Sequence, residues 1–214
     1  MKHYIDIETW KRKDNYNFFR NFVNPTISIT SEVVCGGAKA RAKAAGQSFF
    51  LHYLYAIVHA TNEVKEFRFR HDPDGRVVCY DKVDVLTPIK INENGDFYSV
   101  LIPYHTDFNA FYEEAQRIIA GIPKESNPYS AEQQDPDKGE FDVILLSATP
   151  DLYFTSMTHT QEFRQGSNYP LMNAGKVVTR GGELVMPIAI NLHHGFVDGH
   201  HISQFFKKVE EFLK

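Results

Sequence analysis

The sequence predicts an α+β or mixed α/β fold, a two-layer sandwich in which one large mixed β-sheet carries helices on one face. Patterns typical of about eight to ten strands alternate with about four helical patterns along the chain. The 214 residues are enough to bury about three quarters of the surface of the extended chain. With 43% hydrophobic residues and 14% aromatic ones, a single domain over residues 1–214 with a substantial core is expected.

The first half of the chain begins with strand-like alternation and continues into helices. Residues 36–46 are rich in alanine, and Gly46 is expected to end that helix. Residues 47–64 are apolar on nearly every side, which predicts a buried helix. Asp-Pro-Asp-Gly at 72–75 separates two β-rich runs and predicts a hairpin. The remaining predicted elements of this half are strands at 3–8 and 26–33 and a helix within 12–23.

The second half alternates further strands with two amphipathic helices. A polar, proline-containing stretch at 122–140 has no period and predicts a long loop. Gly181-Gly182 predicts a tight hairpin that leads into an apolar strand ending near residue 194. The other predicted elements are strands at 88–92, 96–105, 142–150 and 151–159 and helices at 107–121 and 198–214.

Charge and cysteine content exclude several classes of protein. The net charge of −4, without a basic run, argues against a nucleic acid or an anionic membrane as partner. Two cysteines, Cys35 and Cys79, are too few for a disulfide framework and favour a reducing compartment. The N-terminal residues have no apolar segment typical of a targeting peptide, and no stretch reaches 18 apolar residues. We therefore expect a cytoplasmic protein without a membrane segment.

The stretch NLHHGFVDGHH at 191–201 holds four of the ten histidines and one aspartate. A metal site is disfavoured, because the histidine spacings do not place two ligands on one helix face and two glycines interrupt the segment. Two interpretations stay open from the residues alone. These are ordinary loop histidines with Asp198 as a helix N-cap, or the end of a strand presents them for catalysis.

This stretch resembles the His-His-x-x-x-Asp-Gly signature of the chloramphenicol acetyltransferases, whose core is similar to that of dihydrolipoyl acyltransferase catalytic domains. Four further segments resemble the family in the same order, from about residue 5 to the C-terminus. They are WKRKD at 10–14, NEVKEFRFR at 62–70, LLSATPDLYFTS at 145–156 and GKVVTRGGELVMPIAINLHH at 175–194. The resemblance implies the sheet-and-helix sandwich of that family.

The resemblance also implies a homotrimer with active sites at subunit interfaces, where acetyl-CoA and an alcohol meet. It makes His194 the general base, which takes the proton of the acceptor hydroxyl and returns one to the CoA thiolate. Arg12 and Asp198 are expected to form a bidentate pair that fixes the loop of His194. Ser147 matches the serine that stabilises the oxyanion. No acyl-enzyme and no metal are implied.

The matching of the acceptor pocket is less complete than that of the catalytic residues. Asn173 stands where the family has a threonine near the oxyanion. In the family, the corresponding wall of the acceptor pocket is mostly apolar. In this chain Met157 and His159, in FTSMTHTQ, make that wall more polar. Phe97 or Tyr98 is expected to supply an aromatic contact to the acceptor.

Two other positions have both a functional and a structural interpretation, and a third departs from the family pattern. Cys35 matches the region that binds substrate, but a buried small residue explains it as well. Lys176 is expected to meet a phosphate of CoA, or else to be a solvated hairpin lysine. Asp151 replaces a tryptophan of the family near the coenzyme.

These observations favour a chloramphenicol O-acetyltransferase that uses acetyl-CoA in a ternary complex and confers antibiotic resistance. An enzyme with the same chemistry and another hydroxylated acceptor is the main alternative. A dihydrolipoyl thiol fits less well, because no swinging-arm linker is visible. A catalytically silent trimer that binds small molecules is disfavoured, because His194, Asp198, Arg12 and Ser147 are all present.

Overall fold

The computed structural model describes residues 1–123, 142–160 and 169–214. Its helical elements follow the predicted order, with a short first helix and a 3-10 helix, Lys65–Arg68, after the long buried one. The α-helices are α1 (Lys13–Phe19), α2 (Gly36–Ala45), α3 (Phe49–Glu63), α4 (Phe108–Ala120) and α5 (Gly199–Leu213). None of the helices in these three ranges is long and apolar enough to cross a membrane.

Ten strands form two sheets in the described ranges. Three short strands make a small antiparallel sheet in the order β1-β4-β3, and seven make the main sheet. The strands of the small sheet are β1 (Lys2–Tyr4), β3 (Phe69–His71) and β4 (Val77–Tyr80). Those of the main sheet are β2 (Thr26–Val34), β5 (Asp84–Lys90), β6 (Phe97–Ile102), β7 (Val143–Thr149), β8 (Leu171–Gly175), β9 (Val178–Arg180) and β10 (Glu183–His193).

The main sheet has the order β2-β10-β8-β7-β5-β6. β9 pairs with the first residues of β10, and β8 pairs with later residues of the same strand. The pairs β5–β7 and β7–β8 are parallel and the others are antiparallel, so the sheet is mixed as predicted. β10 is the longest strand among the described residues and is paired on both edges, with β2 from Val185 to His193 and with β9 and β8 on the other side.

The core lies between the helices and one face of the main sheet. Alternation along the strands turns Ile188, Ile190 and Leu192 of β10 towards this core, together with Leu146 and Met172, and all five are buried. From the helical layer, α3 is buried nearly all round, as its sequence predicts. In α5 only one stripe is buried, consisting of Ile202, Phe205, Val209 and Leu213. The predicted fold class is confirmed.

Turn chemistry accounts for several element boundaries. Gly46 has a φ of 64°, a left-handed conformation that closes α2 where the sequence predicted its end. Gly181 and Gly182 have φ of 59° and 87°, as a two-residue turn of type I′ requires, and they connect β9 to β10. This hairpin sets the register in which β10 runs towards its histidines.

Two predicted segments have a different outcome. Residues 151–159 do not form the predicted strand but continue irregularly after β7. The segment is held instead at Gly175, where a side-chain Cβ would lie 2.6 Å from Phe154 and 3.0 Å from the carbonyl oxygen of Leu152. Most of the predicted loop at 122–140 lies outside the described residues.

Candidate active site

The loop between β10 and α5 contains the histidine-rich stretch. His193 is the last residue of β10 and pairs with Thr26 of β2, and α5 begins six residues later. Asp198 is the N-cap of α5, and its carboxylate accepts a hydrogen bond of 3.1 Å from the backbone of His200. The ring of His201 lies 3.2 Å from the backbone N–H of Asp198, which completes a capping box. Both ends of the loop are therefore fixed by regular structure.

His194 is held by its backbone, by its ring nitrogen and by its ring face. Its backbone N–H donates to the carbonyl oxygen of Pro25 over 2.8 Å. Nδ1 lies 2.9 Å from the carbonyl oxygen of Val197, and its ring stacks on Phe19 with centroids 4.0 Å apart and planes at 18°. Because a carbonyl oxygen only accepts, Nδ1 of a neutral His194 must carry the proton. Its Nε2 then has a free lone pair, and no described residue makes a hydrogen bond to Nε2.

His193 is buried and has a different environment from its neighbour. Its Nδ1 accepts a hydrogen bond of 3.1 Å from the backbone N–H of Gly195, so this nitrogen is unprotonated. Burial, reinforced by the nearby His71, lowers the pKa of His193 to about 3. A Cβ at Gly195 would lie 2.8 Å from Cε1 of His193, so the tight turn between the two needs glycine. These contacts point to a structural role for His193.

Arg12 and Asp198 are in contact, although 186 residues separate them in the sequence. Nη1 of Arg12 donates to Oδ2 of Asp198 over 3.0 Å, and the arginine side chain is 14% exposed. The prediction of a bidentate pair is wrong. Nε and Nη2 of Arg12 are buried and have no partner among the described residues. Burial pushes the pKa of Asp198 upward, but the hydrogen bond from Arg12 and the charge of His201 hold it below its usual value.

Ser147 and Asn173 lie side by side on the sheet face opposite the helices. They are register partners in the parallel pair β7–β8, and Asn173 pairs in turn with Ala189 of β10. Asn173 is buried, and its Oδ1 accepts a hydrogen bond of 2.9 Å from the hydroxyl of Thr149. This leaves the amide NH₂ of Asn173 as the donor end of a polar row that also contains the Ser147 hydroxyl.

Ser147 and His194 do not meet within one chain. Two inter-strand spacings separate Ser147 from Ala189, and five residues of strand rise separate Ala189 from His194. Their Cα atoms are therefore roughly 20 Å apart. A serine, a histidine and one acyl carbon between them cannot bridge this distance.

Phe97 and Tyr98 face opposite sides of the sheet. Tyr98 packs against the helix-side core, and alternation along β6 puts Phe97 on the same face as Ser147. Of the two predicted aromatic contacts, Phe97 is thus the one on the polar face. Met157 and His159 are half-buried in the irregular segment after β7, and both ring nitrogens of His159 are buried without a partner among the described residues.

Cys35 and Lys176 lie away from the histidine loop. Cys35 is buried at the start of α2, where its backbone N–H donates to Leu184, which lies near the first residue of β10. The length of β10 separates it from His194, roughly 30 Å in the same chain. The side chain of Lys176 is exposed just after β8, and its backbone N–H donates to the Leu152 carbonyl. In the part of the chain that the structure describes, no group of three potential ligands gathers around a metal position.

Phe19 is a contact of His194 that sequence reasoning missed. It lies seven residues after Arg12 and three after Tyr16, so the three positions share one face of the helix they begin and occupy. That spacing is the only local signal, and it does not tell what the face contacts. The contact with His194 joins residues 175 positions apart, and only the fold brings them together.

Comparison with known proteins gives a consistent result over the whole chain. The family model for chloramphenicol acetyltransferase matches residues 2–210. A chloramphenicol acetyltransferase of Staphylococcus aureus is 26% identical over 97% of this chain and 93% of its own, and one of Clostridium perfringens is 27% identical over 97% and 92%. A solved structure of a chloramphenicol acetyltransferase is 65% identical, covers both chains completely and superposes with a TM-score of 0.96.

A more distant structure shares the fold. A dihydrolipoamide acetyltransferase from Azotobacter vinelandii is 14% identical, covers 94% of this chain and 85% of its own, and has a TM-score of 0.63. The resemblance to both groups that the sequence motifs indicated is confirmed.

Proposed function

Because the chain belongs to the chloramphenicol acetyltransferase family, we propose that it transfers the acetyl group of acetyl-CoA to a hydroxyl of chloramphenicol. The reaction is an acyl transfer in a ternary complex. The acceptor oxygen attacks the thioester carbonyl, a tetrahedral oxyanion forms, and the C–S bond then breaks to release CoA. We assign residues 1–214 to one acyltransferase domain. Acetylation of the drug then confers resistance in the cytoplasm, where we expect the enzyme to act.

His194 is the general base in this proposal, and the observation that supports it most is its hydrogen bond to the Val197 carbonyl. This bond keeps the proton on Nδ1, so the lone pair of Nε2 is available to accept the proton of the acceptor hydroxyl. The same proton is returned to the CoA thiolate as it leaves. Arg12 and Asp198 hold the loop, and Phe19 holds the ring.

The hydroxyl of Ser147 donates a hydrogen bond to the oxyanion. The amide NH₂ of Asn173, on the neighbouring strand, is a second donor to the same oxyanion. Since Ser147 and His194 of one chain are too far apart, each site takes its base from one subunit and its oxyanion donor from the next. A heterologous contact of this kind closes into a ring, which fits the homotrimer that the family resemblance implies.

Phe97 lines the acceptor side of this site, on the face of Ser147, and Met157 and His159 form its wall. We propose that exposed Lys176 contacts a phosphate of CoA. Cys35 belongs to this site only if a neighbouring subunit brings it there, because in its own chain it lies at the far end of β10.

A second acceptor is favoured by one observation. Both ring nitrogens of His159 are buried without a partner among the described residues. A hydrogen bond from a bound ligand would remove the free-energy cost of leaving these nitrogens unpaired. A hydroxylated small molecule with a hydrogen-bonding group at this position is therefore the alternative acceptor.

The test is to mix the purified protein with acetyl-CoA and chloramphenicol and to follow the release of free thiol. Thiol is expected only when the antibiotic is present, and His194→Ala should lower kcat about 10²- to 10⁴-fold. His200→Ala, which changes an exposed histidine of the same stretch, is the matched control and should keep full activity. Thiol release that survives His194→Ala would contradict the assigned base, and activity only on other alcohols would favour the second acceptor.

A further inference from the structure

Helix α1 and its N-cap residue contact the histidine loop through three side chains on one face. Arg12 pairs with Asp198, Tyr16 packs on Phe196, and Phe19 stacks on His194. The spacing of four and three residues keeps all three on the same side of the helix. The position of α1 therefore contributes to where the ring of His194 lies, together with the bonds of His194 to Pro25 and Val197.

α1 is too short to hold this position by itself. It has seven residues, and the side chain of its N-cap residue, Arg12, makes no capping hydrogen bond. Isolated helices of this length are unstable in water, so tertiary contacts must fix it. Tyr16 is the one residue of α1 that is fully buried, which makes it the anchor of the helix.

Tyr16 is joined to strand β3 by a hydrogen bond. Its hydroxyl lies 2.8 Å from Nε2 of His71, and its ring is stacked on Phe196 with planes 4° apart. The ring of His71 contacts His193 edge to face at 5.2 Å and Phe196 at 4.9 Å. Tyr16 and His71 thus both contact His193, which precedes His194, and Phe196, which follows it two positions later.

We propose that Tyr16 is a positioning residue for His194, and that it acts through its hydrogen bond to His71. This bond orients Tyr16 and fixes α1 against β3, so that Phe19 and Arg12 meet the base loop in the geometry seen here. The inference rests on the proposed role of His194 as base. It assigns to the Tyr16 hydroxyl an effect on turnover, although that hydroxyl touches neither substrate.

The first test compares Tyr16→Phe with Tyr104→Phe. Both changes remove one hydroxyl that bonds a histidine. The Tyr104 hydroxyl lies 2.9 Å from Nδ1 of His59 on helix α3, outside the group formed by α1, β3 and the histidine loop. Both should lower Tm by about 2–4 °C. Only Tyr16→Phe should lower kcat, by about 5- to 20-fold, with both KM values unchanged, because the reacting groups are misaligned while binding is kept. Equal kcat values for Tyr16→Phe and the unchanged protein would overturn the proposal.

Variants of His71 keep the test decisive if Tyr16→Phe folds poorly. His71→Gln retains an amide that can pair with the Tyr16 hydroxyl, and His71→Leu does not. We expect His71→Leu to reproduce the loss of kcat and His71→Gln to restore most of it. A loss of the same size in both variants would contradict a role for the hydrogen bond.

A spectroscopic measurement separates this inference from the proposed function. In protein with ¹⁵N-labelled histidine rings, the signals of His194 should report a single Nδ1–H tautomer, and Tyr16→Phe should mix the two tautomers. This readout needs no substrate, so it decides the positioning role even if chloramphenicol is not acetylated. An unaltered His194 spectrum in Tyr16→Phe would refute the positioning role.

Discussion

Two glycines of the histidine loop have different surroundings, although both interrupt the same short motif. A Cβ at Gly195 would lie 2.8 Å from Cε1 and 3.0 Å from Nδ1 of His193, and 3.3 Å from the ring of Tyr16. His193 cannot move aside, because its ring is packed between Phe196 and His71. At Gly199 a Cβ would meet nothing within 4 Å. Glycine is therefore required at the first position and not at the second.

We predict that Gly195→Ala lowers the free energy of unfolding by about 1–3 kcal/mol, because an overpacked site must shift its neighbours. Gly199→Ala is the matched control and should be neutral or slightly stabilising, since Gly199 begins α5 and alanine favours a helix. Urea unfolding of both variants at one protein concentration measures the difference. Equal losses of stability in the two variants would contradict the packing seen around Gly195.

The elements of the fold were predictable where periodicity or a turn residue acts locally. The apolar run of α3, the end of α2 at Gly46 and the Gly181-Gly182 hairpin all follow from neighbouring residues. The strand predicted at 151–159 was wrong: its aromatic residues and threonines favour a strand, but the segment continues irregularly after β7. There the close approach of Phe154 to Gly175 decides the path, and this contact has no local signal.

Sequence motifs predicted some residues of the candidate site, but the residues alone did not predict which of them contact each other. The contact of Arg12 with Asp198 was expected from family resemblance alone, since nothing in the residues links position 12 to position 198. Phe19 and the pair Tyr16–His71 were missed for the same reason. Aromatic residues at helical spacing predict a buried face, but only the tertiary structure shows which loop that face contacts.

Two histidines that join α1, β3 and the base loop, buried His193 and partly buried His71, should make stability depend on pH. Burial, with the charge of Arg20, lowers the pKa of His71 to about 4, and burial with His71 lowers that of His193 to about 3. Asp72 offsets part of the effect on His71. Below the ordinary histidine pKa of about 6.5 the unfolded chain binds protons that the folded chain does not. Stability therefore falls as the pH decreases from about 6.5 towards 4.

Each of these histidines should contribute up to about 1.4 kcal/mol per pH unit in that window. Urea unfolding at several pH values between 7 and 4 measures the slope. His71→Gln should reduce the slope without abolishing it, because His193 remains. A slope that is unchanged in His71→Gln would show that His71 is not kept neutral by burial.

At the scale of the whole molecule, the position of Ser147 relative to His194 has a consequence for assembly. The two residues lie roughly 20 Å apart along and across one sheet, so the active site that we propose requires two copies of the chain. Arg12, Asp198, Phe19 and His194, by contrast, are joined by contacts within one chain. A Ser147 variant and a His194 variant should therefore complement each other in mixed oligomers. Two variants within the group of Arg12, Asp198, Phe19 and His194 should not.

We predict that oligomers assembled from equal amounts of His194→Ala and Ser147→Ala chains recover about a quarter of the unchanged activity, since random mixing in a ring pairs an intact base with an intact serine at that frequency. Both parents are measured alone, so that residual activity of Ser147→Ala can be subtracted. His194→Ala mixed with Arg12→Ala is the matched control, because no chain in that mixture has both residues and no site is restored. The quarter refers to the unfractionated mixture. Purification through two different affinity tags isolates the mixed trimers, in which one site of three pairs an intact base with an intact serine, so their activity should be about a third of the unchanged value. Activity no higher than the mean of the two parents in the first mixture would mean that serine and base act from the same chain.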